Sequence, residues 1–135
     1  MFINPAPNTR RRVLVVDDQP DVVHLLKLLL EDAGFHVEEA TSGREAIELA
    51  TSSCGHEFDV VVLDVNMRDV DGVRVAAELR ACEGCRRTRI AFHSVLDEDM
   101  VRARFAGYDD FLRKPVNGDR MIERIKRLAA APRSE

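Results

Sequence analysis

The 135 residues carry 20 Lys and Arg against 24 Asp and Glu, a net charge of −4, with 45% hydrophobic and 33% charged side chains. This is the composition of one soluble globular domain, long enough to bury a core without staples, and its acidic balance argues against an overall nucleic-acid binder. No apolar run approaches the roughly 20 residues of a membrane span. Met1-Phe2-Ile3-Asn4-Pro5 lacks the charged start and apolar centre of an export signal, so a reducing cytoplasm is expected for the three cysteines.

Residues 1–11, with two prolines and the start of Arg10-Arg11-Arg12, read as a flexible tail before a domain over 12–131; residues 132–135 form a second tail. Val13-Leu14-Val15-Val16 is a buried strand ending in Asp17-Asp18, and Gln19-Pro20-Asp21 supplies helix-start chemistry. The first helix carries Val22, Leu25, Leu26 and Leu29 at helical spacing, widened by Val23, Leu28 and Leu30, and closes at Ala33-Gly34. Phe35–Ala40 is a more polar strand, suited to a sheet edge. Thr41-Ser42-Gly43 caps a second helix with Ala46, Ile47, Leu49 and Ala50 on one face. Val60-Val61-Val62-Leu63 has the composition of a strand buried on both faces; it stops at Asp64 and passes through a polar loop to Asp71-Gly72. A third helix runs through Val73, Val75, Ala76 and Leu79 to about Cys82. Arg89 to His93 is a fourth strand ending near Ser94, followed by a helix from Glu98 to Ala106 that ends at Gly107. Phe111-Leu112-Arg113 is a fifth strand running into Lys114-Pro115. The last helix, Gly118 to Ala130, buries Met121, Ile122, Ile125, Leu128 and Ala129.

Strands alternating with helices predict a three-layer α/β domain with a doubly wound, five-stranded parallel sheet. In the flavodoxin-like (βα)5 order 2-1-3-4-5, strands one and three adjoin at the switch point, where ligands bind beyond the strands' carboxyl ends. Asp17, Asp18 and Asp64 then converge, which is costly unless a cation binds among them. All-oxygen ligands with room for water suit Mg²⁺, with Mn²⁺ as a substitute. Lys114 and Ser94 add a cation and a hydroxyl on the far rim. Carboxylate nucleophile, divalent cation, ammonium and hydroxyl make a phosphoryl-transfer set.

An acidic pair after strand one, an Asp after strand three with a following D-G turn, a hydroxyl after strand four and K-P after strand five come in this order. In that order the chain resembles the receiver domains of two-component response regulators, over about residues 12 to 131. The resemblance implies that Asp64 accepts a phosphoryl group from a sensor histidine kinase or a histidine phosphotransfer protein. It implies Mg²⁺ ligation by Asp17, Asp18, Asp64 and the backbone carbonyl of Asn66. Lys114 would pair with Asp64 and then with the phosphoryl oxygens, Ser94 would donate to the phosphoryl group, and Lys114-Pro115 would be cis. Ser94 and Phe111 would carry the switch to an output face of helix four, strand five and helix five, used for a partner protein or self-association. Such a domain catalyses only its own phosphorylation and dephosphorylation and touches neither nucleic acid nor membrane.

The fit has departures. His93 is the alternative switch residue, or else a side chain packed under the fourth helix; Val95 stands where a small residue is usual and would narrow access to the phosphoryl group. From Ser94 to Lys114 the segment is about two residues short. Phe111 replaces a common Tyr and has no hydroxyl. Arg68 replaces a common Pro and could reach the phosphoryl group or Asp69. Arg102, Arg104, Arg113, Arg120, Arg124 and Arg127 make the output side basic, fitting an acidic or self-paired partner. Cys82-Glu83-Gly84-Cys85 and Cys54-Gly55-His56 lie at the sheet's amino end, where a zinc or redox site is conceivable beside the plainer reading of buried or loop thiols. Two rival functions stay open. One is an aspartate-nucleophile phosphatase of the haloacid dehalogenase type; the other is an interaction module independent of phosphorylation. The end at Glu135 leaves a stand-alone receiver, or one cut from a longer regulator or hybrid kinase, and Met1 favours a stand-alone or N-terminal receiver.

Overall fold

The computed structural model describes residues 11–52 and 57–130. In chain order it contains β1 (Arg12–Val16), α1 (Pro20–Asp32), β2 (His36–Ala40), α2 (Gly43–Thr51), β3 (Val60–Leu63) and α3 (Gly72–Ala81), then a 3-10 turn (Glu83–Cys85). β4 (Arg89–Ser94), α4 (Glu98–Arg104), β5 (Asp110–Arg113) and α5 (Gly118–Ala130) complete it. The sheet order is β2-β1-β3-β4-β5 with every pair parallel, as expected.

Alternation along the strands divides the apolar side chains between two cores. Val13, Val15, Val60, Val62, Ala91 and Leu112 pack against α1 and α5. Leu14, Val16, Val61, Leu63, Ile90 and Phe92 pack against α2, α3 and α4. β1 and β3 are therefore covered on both faces, which is why β3 reads as an unbroken apolar run, while the edge strand β2 keeps exposed polar positions.

Two elements differ from expectation. In α1 the buried face is Val23, Leu26 and Leu30, whereas Leu25 and Leu28 are 56% and 52% exposed. Leucines all round this helix hide its phase, and only contact with β1 and β2 fixes which ones turn inward. α4 stops at Arg104 rather than Ala106. Phe105 leaves the helix with φ −161 and sets its ring edge-on to Phe92, centroids 6.4 Å apart. Burying that ring outweighs another half turn of helix.

All strands start at one edge of the sheet and end at the other. At the amino edge stand Arg11 and Arg12 at the start of β1, paired with Asp59 and Glu38, and Arg86, Arg87 and Arg89 around the start of β4. Arg80 of α3 joins them, donating to the Thr88 carbonyl at 2.7 Å and to Asp109 at 2.8 Å. At the carboxyl edge Asp17, Asp18 and Asp64 come together.

Candidate functional site

Register builds the site. Val16 pairs with Leu63 and Leu63 with Phe92, so the next residues, Asp17, Asp64 and His93, stand side by side where the strands end. The ladder continues past the last rungs, with the Asp64 amide donating to Val16 at 3.0 Å and the Lys114 amide to Ser94 at 2.8 Å. Alternation turns Asp17, Asp64 and His93 toward the α1–α5 side and Ser94 toward the other.

One carboxylate oxygen from each of Asp17, Asp18 and Asp64 lies within 4.8 Å of the others. Asp17 and Asp64 are buried and Asp18 is half-buried. Burial pushes the Asp64 carboxyl up to about 6, against the nearby Lys114, which lowers it, and with Asp17, which raises it further. One ammonium does not offset three carboxylates. An all-oxygen, partly buried donor set short of positive charge fits a hard divalent cation.

Lys114 is at the site but its first partner is not the expected one. Its Nζ lies 2.7 Å from Asp17 Oδ2 and 3.6 Å from Asp64 Oδ2. The Lys114-Pro115 bond is cis, as the resemblance implied. Asp17 Oδ1 accepts from the Gln19 amide at 3.0 Å, so both its oxygens are engaged. The Asn66 amide donates to Asp64 Oδ1 at 3.4 Å.

Ser94 is fully buried, and its Oγ accepts from the Leu96 amide at 3.1 Å. Val95 is 57% exposed on the rim. His93 is not under the fourth helix: it is paired with Leu112 in the β4–β5 register and shares that residue's α1–α5 side. Burial, followed by the charge of Lys114, pushes its imidazole down to about 4. It is a neutral ring at neutral pH.

The loop after Asp64 is tied down by contacts between residues far apart in sequence. Arg68 turns to Asp18 rather than Asp69: its amide donates to Asp18 Oδ2 at 3.2 Å and its exposed guanidinium lies 4.0 Å from the same oxygen. Asp69 instead accepts from the Gly43 and Arg44 amides, both at 3.0 Å, at the start of α2. These two amides hold its carboxyl below the usual range, that of Arg44 most. Asp71 caps α3 by accepting from the Arg74 amide at 2.9 Å and takes a 2.8 Å bond from Arg104 of α4. Gly72 lets the loop close: its amide donates to Val65 at 2.7 Å, and a Cβ there would stand 2.1 Å from the Asp64 carbonyl oxygen.

Tyr108 is a site residue that no sequence motif marks. Its ring lies 5.3 Å from that of Phe92 and 6.1 Å from that of half-buried Phe111. Its hydroxyl donates to Glu98 at 2.7 Å and accepts from Arg102 at 3.1 Å, joining α4 to the core beneath Ser94. The basic character expected of the output side is largely neutralised within the domain. Arg102 pairs with Glu98, Arg104 with Asp71, Arg113 with Asp97 and Arg124 with Asp110. Cys54 and His56 lie outside the described residues, as do both expected tails apart from Arg11.

Residues 13–126 match the family described as the response regulator receiver domain. The chain is 37% identical over 131 residues to the virulence sensor protein BvgS of Bordetella bronchiseptica, a match covering 92% of this chain and 10% of that protein. It is 38% identical over 120 residues to the transcriptional regulatory protein PrrA of Mycobacterium tuberculosis, covering 89% of this chain and 50% of PrrA. The chain thus spans half or less of these relatives. Among solved structures, the chemotaxis protein CheY4 of Vibrio cholerae superposes with a TM-score of 0.81 at 27% identity, over 89% of this chain and 99% of that one. The response regulator TrrA of Thermotoga maritima, solved in complex with Mg²⁺ and BeF, gives 0.72 at 29% identity, over 87% and 98%.

Proposed function

Because the chain belongs to the response regulator receiver domain family, we propose that Asp64 is its phosphoacceptor, charged by a phosphohistidine on a sensor histidine kinase or a histidine phosphotransfer protein. The observation that carries this reading is the convergence of Asp17, Asp18 and Asp64 within 4.8 Å, with Lys114 Nζ 3.6 Å from Asp64 Oδ2. Mg²⁺ or Mn²⁺, held by these carboxylates and the Asn66 carbonyl, would screen the negative charge of the phosphoryl oxygens. An Asp64 oxygen attacks phosphorus as the bond to the donor imidazole breaks, and that imidazole leaves with the electron pair. Lys114 turns its ammonium from Asp17 to the phosphoryl oxygens, and the Ser94 hydroxyl, already at the strand end, donates to one of them.

The modification adds about −1.5 to −2 charges and three acceptor oxygens. It shifts a two-state equilibrium through Ser94 and the Phe92–Tyr108–Phe111 cluster to α4, β5 and α5. Between these three elements lies a hollow of about 440 Å³ lined by Asp97, Glu98, Phe111, Arg113, Val116 and Arg120, the surface for an output protein or a second copy. The domain works in the cytoplasm and acts on itself rather than turning over a separate substrate. Among the described residues, no helix is long and apolar enough to cross a membrane.

The test is incubation with Mg²⁺ and acetyl phosphate, read by intact mass. Wild type gains one phosphoryl group and Asp64→Asn gains none. A wild type that gains nothing, or a variant that gains as much, overturns the reading. Continued release of phosphate from added phosphate esters would instead favour the phosphatase alternative.

A further inference from the structure

The amino edge of the sheet carries a pair of thiols that take no part in the chemistry at Asp64. Cys82 is the C-cap of α3, and Cys85 ends the 3-10 turn that follows, its amide donating to the Cys82 carbonyl at 3.0 Å. That turn brings the two Sγ atoms to 3.2 Å, and both thiols are free. A disulfide bond is about 2.05 Å long, so side-chain rotation over roughly 1 Å separates the two states. The two sulfurs differ in access. Cys82 is half-buried and open to a small reagent, whereas Cys85 is buried with its Sγ 3.4 Å from the Ala50 carbonyl at the end of α2.

We propose that Cys82 and Cys85 form a reversible redox-modification site, closing to an intrachain disulfide by exchange with a small-molecule disulfide of the glutathione class. The Cys82 thiolate attacks one sulfur of the reagent; its S–S bond breaks and one glutathione leaves as a thiolate, which takes a proton from water. Cys85 Sγ then attacks the Cys82 sulfur. The bond between Cys82 and the second glutathione breaks, and that glutathione leaves with the proton lost by Cys85. Two protein thiols are oxidised to one disulfide and one glutathione disulfide is reduced to two thiols, so electrons and protons balance. Burial pushes the Cys85 thiol up to about 12, which fits it to the second step rather than the first, since the thiolate is the attacking species. Closure frees the Ala50 carbonyl and fastens the end of α3 to the segment entering β4.

The experiment uses the full chain, as wild type and as Cys54→Ser. Each is equilibrated without oxygen in glutathione buffers of graded oxidised-to-reduced ratio, acid-quenched, and read by intact mass and peptide mapping. The expected result is loss of two hydrogen atoms in both proteins, saturating with the buffer ratio, reversed by dithiothreitol and mapped to Cys82–Cys85. Cys82→Ser removes it. Two free thiols across the whole series overturn the proposal, as does arrest at a glutathione adduct or a bond that maps to Cys54. Wild-type mapping decides the matter even where a cysteine variant fails to fold.

Discussion

The ammonium of Lys114 is held by Asp17 at 2.7 Å, across the width of β3 and β4. The cation proposed to meet the phosphoryl group is therefore parked on a carboxylate other than the proposed phosphoacceptor, and Asp17 is only 1% exposed.

Replacing Lys114 by Met leaves the buried Asp17 carboxylate without its cation. Removing one member of a buried ion pair costs about 3 kcal/mol. An unfolding free energy lowered by that amount, read from urea denaturation, is expected in the presence of a chelator, with a smaller loss in saturating Mg²⁺. An equal loss in both conditions would show that no divalent cation shares the site.

Asp64 and His93 have opposing pH dependences. Asp64 rises from 3.8 to about 6, so in that window the folded state holds a proton that the unfolded chain has lost. Its contribution is present below pH 3.8 and fades as pH climbs through 6, by about 3 kcal/mol. His93 falls from 6.5 to about 4, so in its window the unfolded chain holds the extra proton. Its contribution is present above 6.5 and lost as pH drops through 4, by a similar amount of about 3 kcal/mol. Between pH 4 and 6 the two slopes oppose, and metal-free wild type has a nearly level profile. His93→Gln exposes a fall in stability with rising pH, and Asp64→Asn exposes a rise. Chemical denaturation across the window measures both.

Gly72→Ala drives a Cβ to 2.1 Å from the Asp64 carbonyl oxygen and 2.7 Å from Val65 Cα. Backbone has to move, at a cost of about 3 kcal/mol. The movement falls on Asp64, the proposed phosphoacceptor. Phosphorylation by acetyl phosphate should slow at least tenfold by intact-mass time course, and an unaffected rate would contradict the packing described.

Tyr108→Phe keeps the ring on Phe92 and removes the bonds to Glu98 and Arg102. The stability loss is small, about 1 kcal/mol. It concentrates in the seven residues of α4, whose amides should exchange faster with deuterium while those of α5 are unchanged.

Val95→Ala opens the rim next to Ser94, where Val95 is 57% exposed. Autodephosphorylation should quicken severalfold, followed as loss of the phosphoryl mass. A rate no faster than wild type would remove Val95 as the gate.

Much of the site could be read from the chain because a parallel sheet gathers its strand ends. Once Val13–Val16, Val60–Leu63 and Phe111–Arg113 are strands, Asp17, Asp64 and Lys114 have to meet. What escaped is what depends on contacts between distant segments. Asp69 looks like any loop carboxylate until α2 presents the Gly43 and Arg44 amides, 26 and 25 residues away. The arginines of the output side read as a basic field because their partners Asp71, Asp97 and Asp110 lie on other elements. Ser94 and His93 are adjacent in sequence, and only the pleat decides which core each one faces. Tyr108 carries no motif, and its role exists only because α4 ends early and leaves room for it.

The pairing of charge along the strands has an outcome for how the molecule meets others in solution. Toward the amino edge Arg11, Arg12 and Arg80 are matched by Asp59, Glu38 and Asp109, whereas at the carboxyl edge Asp17, Asp18 and Asp64 outnumber Lys114. Within a net charge of −4, that cluster is a local focus of negative potential, toward which a cationic partner would be steered. A phosphoryl group on Asp64 would deepen that potential, while added salt would screen it over a Debye length of about 8 Å at physiological ionic strength.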